Sequence, residues 1–575
     1  MRLIAIAAVF LSIIARAGAS EERSFRVLSP DDARLYSEVF VLQEDGRWAE
    51  ADRKIAAIKD PVLMGYVRMD RLLHPTAYRA KYDELREWMA YYADHPDADK
   101  IYALALKRRP KSASPPLAPI GRKWKTEISA TLHPDLERDY ANTSRPRLAQ
   151  IEGRVRHLAK KEQASLALEE IGAHLKRGTI TERQYDRMRS WVAASLYYQG
   201  YQSRARDIAD AVIARNGQSA VLAYWISGLI HYRDGDIGGA HERFLAMARV
   251  KEQDDALRAA AGFWAARSAL SAGKPDSVVE GLQIAADFPL TFYGQLALAQ
   301  LGRQYEFNWT VAAPTEDDFS RLSAADPAIR RATALVEAGL VNEGDLEFRW
   351  INARIDDALA GKLLALEHAL NLPAAQLDLA LNYRGRDFEA GLFPLPAFEP
   401  ENGFTADPAL IYALMRQESK FKVEATSRVG ARGLLQLMPR TASFMAKDKS
   451  LQRGKGRDKL YDPALNLAIG QDYVIHLIET AADGDLFDMA VAYNGGPGNL
   501  RRWKREVPIE DPLLFIESIP NPESRDFVEK VLTNYWIYRQ RLGLTPTSRD
   551  RVAAGQLPLY DALDQISDAA ATAGQ

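Results

Sequence analysis

Glu418 occupies the position in this chain that best suits acid–base chemistry. It ends a segment that starts with Asp407, a good helix N-cap, and Pro408, which fits the first helical position. The apolar residues of this segment recur at helical spacing on one face, at Leu410, Ile411, Leu414 and Met415. Glu418 takes the next position on that face, where partial burial raises the pKa of a carboxyl group and suits it to general acid catalysis. A glutamate turned out into solvent is the alternative, since most glutamates are exposed.

The residues that follow Glu418 predict a loop that approaches a ligand closely. Gly430 and Gly433 bracket a short turn, where the absence of side chains allows close backbone contact. Gln436 and Met438 then alternate with leucines, and together they suit a groove that binds amides and packs against sugar rings. Taken alone, each of these two residues is explained equally well by ordinary packing.

A third group of candidate residues starts at the end of a helix predicted at 487–493. Tyr493 ends that helix beside the Gly-rich turn that starts at Asn494, where the tyrosine hydroxyl can reach into a cleft. A tyrosine that only packs against the turn is the alternative. Glu517 lies after a further loop and before an amphipathic helix predicted at 524–541.

Taken together, the ordered motifs resemble those of the soluble lytic transglycosylases, periplasmic enzymes with a lysozyme-like domain that cleave the glycan strands of peptidoglycan. The motifs are E-S at 418–419, G-A-R-G-L-L-Q-L-M-P at 430–439 and A-Y-N-G-G-P-G at 492–498. The resemblance covers roughly residues 398–545. It departs from the commonest pattern at Leu435 and Gly495, where methionine and alanine are frequent, and neither position touches the presumed chemistry.

The resemblance implies a mechanism with one acid. Glu418 would protonate the oxygen between N-acetylmuramic acid and N-acetylglucosamine, and would then deprotonate the muramoyl 6-hydroxyl, which closes a 1,6-anhydro ring. The remaining candidate residues would bind the glycan: Ser427, Gln436 and Met438 in the groove, Tyr493 and Asn494 near the acid, and Glu517 on the opposite wall. Glu424 stays open as a second carboxylate, as glycosidases usually use two.

The composition of the chain excludes several other classes of protein. The 575 residues include no cysteine, which excludes disulfides, thiol nucleophiles and cysteine-bound metals, and the formal net charge of −2 argues against nucleic acid as a partner. The sequence contains no His-Glu-x-x-His, G-x-S-x-G or phosphate-binding Gly-Lys motif. We therefore expect neither a cofactor nor a catalytic metal.

The chain divides into four predicted parts. Residues 1–19 resemble a secretory signal peptide and 20–395 an α-superhelical solenoid, followed by a catalytic domain at 396–545 and a tail at 546–575. We thus expect an all-α protein in which a solenoid of tetratricopeptide-like helix pairs precedes a lysozyme-like α-helical domain. The expected location is the periplasm, without a transmembrane anchor and as a monomer. The solenoid offers a surface for periplasmic protein partners.

An internal repeat supports the solenoid. Three tryptophans each precede a glycine turn, with glycines 35 and 38 residues apart, which is typical of stacked helix pairs: Trp191 and Gly200, Trp225 and Gly235, Trp264 and Gly273. The tryptophans are expected between helices rather than on a ligand-binding face. Within the catalytic domain, the basic stretch 447–459 predicts a solvated loop, or one that lies over an anionic stem peptide.

Two other functions remain open from the sequence. One is a hydrolytic muramidase of the same fold, which would release reducing ends instead of anhydro ends. The other is an exported solenoid scaffold whose lysozyme-like domain binds glycan without cleaving it.

Overall fold

The fold is helical throughout the part of the chain that the structure describes. The computed structural model describes residues 25–120, 146–217, 220–251, 253–383 and 385–561. Helices make up 68% of the described residues, and the β contacts among them are isolated bridges. The predicted all-α class is therefore confirmed. Every described helix is too short or too polar to cross a lipid bilayer.

Short amphipathic helices form the first part of the described chain. The predicted signal peptide at 1–19 lies outside the described residues. The first five helices are α1 (Pro30–Glu44), α2 (Trp48–Ile55), α3 (Met64–Leu73), α4 (Tyr82–Tyr92) and α5 (Ala98–Arg108). They pack against helices far along the chain, since the buried hydroxyl of Tyr66 donates to the carboxylate of Glu347 at 3.0 Å.

Antiparallel helix pairs follow at the predicted repeat. The helices are α6 (Pro146–Lys160), α7 (Ala164–Lys176), α8 (Glu182–Tyr198), α9 (Gln202–Asn216), α10 (Val221–Arg233), α11 (Ile237–Ala248), α12 (Asp255–Ser271) and α13 (Pro275–Ala286). The turns of the last three pairs contain Gly200, Gly235 and Gly273, each with a positive φ that favours glycine. The three repeat tryptophans are buried between helices, as expected.

The chain then continues through shorter helices towards the predicted domain boundary. These are α14 (Phe292–Gln300), α15 (Glu316–Ala325), α16 (Ala328–Glu337), α17 (Val341–Asn352), α18 (Ala360–Ala369), α19 (Pro373–Tyr383) and α20 (Glu389–Leu392), with 3₁₀ turns at Asp357–Leu359 and Arg386–Phe388. The proline-rich segment from 393 to 407 is without helix.

The last part of the chain builds the lobe that carries Glu418. Its helices are α21 (Pro408–Glu418), α22 (Pro439–Met445), α23 (Pro463–Thr480), α24 (Leu486–Gly495), α25 (Pro497–Glu506), α26 (Pro512–Ser518), α27 (Pro522–Arg541) and α28 (Thr547–Ala553), with 3₁₀ turns at Lys449–Gln452 and Gly454–Tyr461. Four of these eight helices start with proline after an aspartate or asparagine cap, as the sequence of α21 predicts.

Helix α21 is buried on all sides, whereas the sequence predicts burial of one face. Residues 408 to 416 are all buried. Asp407 caps the helix through the Ala409 N–H at 2.9 Å and also accepts hydrogen bonds from Arg539 and the Tyr535 hydroxyl, both at 2.9 Å. The difference arises because α27 supplies buried polar partners for residues that an isolated helix would turn to water.

The end of the described chain also differs from the sequence expectation of a tail after residue 545. Helix α28 follows α27, and the Pro558 carbonyl accepts a hydrogen bond from the Leu486 N–H at 3.0 Å. The Tyr560 hydroxyl accepts from the Asp407 N–H at 2.9 Å, directly at the start of α21. Residues 547–561 are thus part of the lobe that carries Glu418.

Polar and aromatic contacts from α12 and α14 join the solenoid to this lobe. The Tyr293 hydroxyl donates to the carboxylate of Glu517 at 2.5 Å, in a region where both side chains are buried. Arg267 forms an ion pair with Asp511 at 2.7 Å, and Phe292 stacks on the Trp536 ring with a centroid distance of 5.1 Å. Both ends of α26 are therefore held by the solenoid.

We expect Tyr293→Phe to destabilise the protein by about 1–3 kcal/mol, because the substitution removes a donor to a buried carboxylate without changing the shape of the ring. The measurement is the free energy of unfolding in urea. Tyr91→Phe is the matched control, since the Tyr91 side chain is 71% exposed. Equal stability of the two variants would contradict the structural role of this hydrogen bond.

Candidate active site

The carboxyl group of Glu418 lies where its charged form is disfavoured. Glu418 is the last residue of α21 and is half-buried. Burial, and secondarily repulsion by the nearby Glu523 carboxylate, raises the pKa of Glu418 to about 8. The structure thus gives this carboxyl group the protonation state that a general acid needs at neutral pH.

The turn after Glu418 has an unusual backbone. Lys420 and Phe421 both have positive φ angles, at 52° and 62°, which side-chain-bearing residues rarely adopt. The Phe421 ring is buried and stabilises the turn by packing into the core. Strain held by surrounding packing is common where a side chain is fixed for function.

A loop of short bridged segments forms one wall beside Glu418. Isolated antiparallel bridges pair Thr426 with Arg432 and Arg432 with Leu437. Gly433 has a φ of 77°, and a Cβ atom there would lie 2.2 Å from the Leu460 carbonyl oxygen. Glycine is therefore required both for the backbone angle and for the close approach of the next segment.

Asn466, which the sequence analysis missed, stabilises this loop through three hydrogen bonds. Its side chain is buried in α23, its Oδ1 accepts from the Leu435 N–H at 2.9 Å, and its Nδ2 donates to the carbonyls of Arg432 at 3.1 Å and Leu460 at 2.8 Å. An asparagine in the first turn of a helix gives no sequence signal of this role, because the loop that it holds is remote in the chain.

Ser427 and Gln436 are on the loop, as predicted, and are also used by its own structure. Ser427 Oγ accepts the Ala431 N–H at 3.0 Å. Gln436 Nε2 donates to the carbonyls of Ala425 at 3.0 Å and Gly433 at 2.8 Å, which leaves its Oε1 as an acceptor without a partner among the described residues. Met438 ends the loop with 40% of its surface exposed, available to a ligand.

Tyr493, in α24, connects the loop to the surroundings of Glu418. Its hydroxyl donates to the Leu435 carbonyl at 2.8 Å, and its ring is stacked on Phe527. Burial and the neighbouring Glu418 carboxylate raise the pKa of Tyr493 well above its ordinary value, so the hydroxyl stays a donor. The structure brings Tyr493 and Glu418 close together.

Asn494 is hydrogen-bonded to the helical turn that contains Glu523. Asn494 Oδ1 accepts a hydrogen bond from the Ser524 hydroxyl at 2.7 Å, which ties the end of α24 to the first turn of α27. Glu523, which the sequence analysis did not single out, is in that turn and acts on Glu418 electrostatically. The sequence does not indicate this role of Glu523, since acidic residues are common in the first turn of a helix.

Glu517 is joined to the solenoid. Its side chain is 1% exposed and accepts the hydrogen bond from Tyr293 in the solenoid. Contact with glycan stays a prediction for Glu517, and its described contacts favour support of the lobe from behind. The arrangement as a whole offers a neutral carboxyl group, a tyrosine and a loop with free acceptors beside one another, which suits acid-catalysed cleavage of a polar polymer.

The raised pKa of Glu418 predicts a pH-dependent gain in stability for Glu418→Gln. Between its ordinary pKa of 4.5 and about 8, folded wild-type protein keeps a proton that the unfolded chain has released, so wild-type stability falls as the pH rises through this window. The variant lacks this loss, which amounts to about 1.4 kcal/mol for each unit of pKa shift. Urea unfolding at pH 5 and pH 9 measures it.

Glu424→Gln is the control for that measurement, because the Glu424 side chain is exposed. It measures what the loss of one exposed carboxyl group does to stability at each pH. A stability difference between Glu418→Gln and wild type that is the same at pH 5 and pH 9 would contradict the burial of the Glu418 carboxyl group.

We expect Asn466→Ala to destabilise the protein by about 2–4 kcal/mol, since it removes the partners of one N–H and two carbonyl groups. Hydrogen exchange at Leu435 should rise with it, whereas the exposed Asn402→Ala, a matched control, should leave that exchange unchanged. Unchanged exchange at Leu435 in Asn466→Ala would contradict the proposed support of the loop.

Comparison with known proteins shows that part of this lobe matches a known domain family. Residues 396–515 match the family model of the Transglycosylase SLT domain. The soluble lytic murein transglycosylase of Escherichia coli (strain K12) is 30% identical over 263 residues, which is 44% of this chain and 40% of that protein. The aligned part of the chain thus spans less than half of that curated relative.

Solved structures are similar over a greater length. The 70 kDa soluble lytic transglycosylase from Escherichia coli superimposes with a TM-score of 0.55 at 18% identity, over 90% of this chain and 98% of that one. An inactive glutamate-to-glutamine mutant of the lytic transglycosylase Slt from Pseudomonas aeruginosa superimposes with a TM-score of 0.54 at 19% identity, over 94% and 89%. In sequence over residues 396–515, and in fold over most of its length, this chain is therefore similar to the soluble lytic murein transglycosylases.

Proposed function

We propose that this protein is a lytic transglycosylase that cleaves the bond between N-acetylmuramic acid and N-acetylglucosamine in peptidoglycan and leaves 1,6-anhydro ends. The observation that carries the proposal is the half-buried Glu418 carboxyl group, whose pKa is raised to about 8 at the end of a buried helix. The match of residues 396–515 to the SLT domain and the names of the similar proteins support this substrate class.

The first step uses Glu418 as an acid. Its carboxyl proton passes to the glycosidic oxygen as the bond to the anomeric carbon breaks, and the N-acetylglucosamine end leaves as an alcohol. Protonation below about pH 8 keeps the acid loaded in neutral solution. The acetamido oxygen of the muramoyl sugar can then stabilise the positive anomeric carbon.

The second step uses the same residue as a base. The carboxylate of Glu418 takes the proton of the muramoyl 6-hydroxyl, whose oxygen attacks the anomeric carbon and closes the anhydro ring, so that no water is consumed. A raised pKa favours this step also, because a carboxylate that is disfavoured in its site is a stronger base. We propose that Tyr493, Asn494, Gln436, Ser427 and Met438 bind the sugars around Glu418.

We further propose that the chain is exported to the periplasm by residues 1–19, and that residues 20–395 form a solenoid domain in front of the catalytic domain. The joints at Arg267–Asp511 and Tyr293–Glu517 support one working unit of solenoid and catalytic lobe. In this arrangement the solenoid guides the glycan strand or recruits periplasmic proteins.

A hydrolytic muramidase is the second candidate, and the proximity of Glu523 favours it. Hydrolytic glycosidases generally use two carboxylates, and Glu523 is near enough to Glu418 to contribute to its raised pKa. The two functions differ in their products, since an anhydro end weighs one water less than a reducing end.

We expect Glu418→Gln to lower the rate of peptidoglycan cleavage by about 10²–10⁴-fold or more, because the amide cannot transfer a proton. Wild-type protein should release anhydro-muropeptides, which mass spectrometry of a digest identifies. Glu424→Gln is the control and should retain full activity. Reducing ends as the main product would overturn the transglycosylase in favour of the muramidase.

The neighbour of the acid provides a pH test. The value of kcat/KM should fall on the alkaline side as Glu418 loses its proton near pH 8. In Glu523→Gln the repulsion is absent and this fall should move to lower pH, while the anhydro product is retained. An abolition of cleavage at every pH in Glu523→Gln would indicate instead that a second carboxylate takes part in the reaction.

A further inference from the structure

A cationic surface next to the candidate site is not used by the proposed chemistry. We name it the basic platform and define it by its exposed cations, Lys447, Lys449, Arg453, Lys455, Arg457 and Lys459. None of these side chains forms an ion pair or a side-chain hydrogen bond with another described residue. In a chain whose formal net charge is −2, six such cations within 13 residues are a concentrated positive field.

The acidic residues of the same segment offset little of the charge of the platform, although Asp448 attracts Lys459. Asp458 forms an ion pair with Arg432 at 2.6 Å, in the wall of the candidate site. Asp448 accepts hydrogen bonds from the backbone and hydroxyl of Ser450, both at 2.8 Å, and so starts the first 3₁₀ turn. Both carboxylates are engaged in local structure, and the cations remain directed to solvent.

The backbone of the platform is fixed to the wall of the candidate site. The Tyr461 hydroxyl is 2.5 Å from Thr426 Oγ1, next to Ser427. Asn466 binds the Leu460 carbonyl, and Gln452 Nε2 donates to Ser443 Oγ in α22 at 2.8 Å. The backbone of the platform is therefore fixed by hydrogen bonds while its cationic side chains are exposed, whereas a merely solvated loop would lack these bonds to the site.

We infer that the basic platform binds the carboxylates of the peptide stems that hang from the muramic acid of peptidoglycan. This inference rests on the proposed function. Met438 is the N-cap residue of α22 and Lys447 lies just beyond the other end, and a helix of seven residues is about 10 Å long. An extended stem of four residues reaches about 13 Å. A stem on a sugar that contacts Met438 can thus extend along α22 to the cations.

The exposed face of α22 suits the same ligand. Arg440 and Phe444 are exposed one turn apart on this helix, with Phe444 69% exposed, and the exposed Lys447 follows just beyond the helix end. Stem peptides combine several free carboxylates with methyl and methylene groups, so an aromatic ring flanked by cations is complementary to them. An anionic lipid surface would be attracted by the same charges, but it would not need the connection to the wall of the site.

The test compares wild-type protein with the quadruple variant K449Q/R453Q/K455Q/R457Q. The matched control is K107Q/K160Q/K161Q/K251Q, which removes four exposed lysines outside the lobe. Each is assayed on purified peptidoglycan strands that carry stems and on strands stripped of stems by an amidase. We expect the KM of the platform variant to rise roughly fivefold to tenfold on strands with stems, as exposed ion pairs are individually weak. On stripped strands, the KM of the platform variant should equal that of wild type.

Salt gives a second measure on the same proteins. The preference of wild type for strands with stems should fall between 50 and 500 mM salt, because the charges are screened, and the preference of the platform variant should already be low at 50 mM. Isothermal calorimetry with the free tetrapeptide stem should detect binding to wild type and to the control variant, with affinity about tenfold lower in the platform variant.

The outcomes separate the inference from the proposed function. Equal KM changes on both substrates, or no change on either, would overturn the inference while leaving the proposed function intact. Loss of binding to vesicles of anionic phospholipid, with the substrate preference retained, would overturn it in favour of a membrane surface. If wild type cleaves neither substrate, the proposed function fails, and calorimetry with the tetrapeptide still decides whether the platform binds stems.

Discussion

The burial of helix α21 is the constraint on which the site depends. A helix that is surrounded by protein delivers its last residue, Glu418, into surroundings that disfavour charge, and the pKa of that carboxyl rises to about 8. The helix is fixed at its start by Asp407, which caps it and is itself paired with Arg539 of α27. The Arg416 guanidinium fixes it near its end by donating to the Leu392 carbonyl and to Asn534. These buried polar contacts at both ends fix the orientation of α21 within the lobe.

The solenoid contributes to the same constraint from outside. Tyr293 and Arg267 bind both ends of α26, and Phe292 packs on Trp536 in α27. Because α26 leads directly into α27, whose first turn holds Glu523 beside Glu418, contacts in the solenoid are connected through short segments to the electrostatics of the acid. Glu517 is buried at this joint, and Tyr293 supplies one of the hydrogen bonds that its carboxylate needs there.

The loop that faces Glu418 uses its polar residues twice. Gln436 satisfies two carbonyls of its own loop with the amide nitrogen and keeps the amide oxygen available, and Ser427 accepts a backbone N–H across the turn. A loop whose side chains hold it in shape presents its remaining acceptors without further loss of conformational entropy on binding. Asn466 and Gly433 complete this rigidity, one by hydrogen bonds and the other by allowing close backbone approach.

The sequence by itself determined the helical class, the repeat, the start of α21 and the identity of Glu418 as the candidate acid, because these follow from local spacing, caps and turns. The helices predicted at 487–493 and 524–541 lie within α24 and α27 for the same reason. Only the tertiary structure decided which residues surround the acid. Glu523 is near it and Glu517 is turned to the solenoid, although both precede or begin the same helix, and the partners that make this distinction lie 105 and 224 residues away in the chain. Burial of α21 on all sides, the role of Asn466 and the packing of residues 547–561 likewise depend on such distant contacts, which no local pattern encodes.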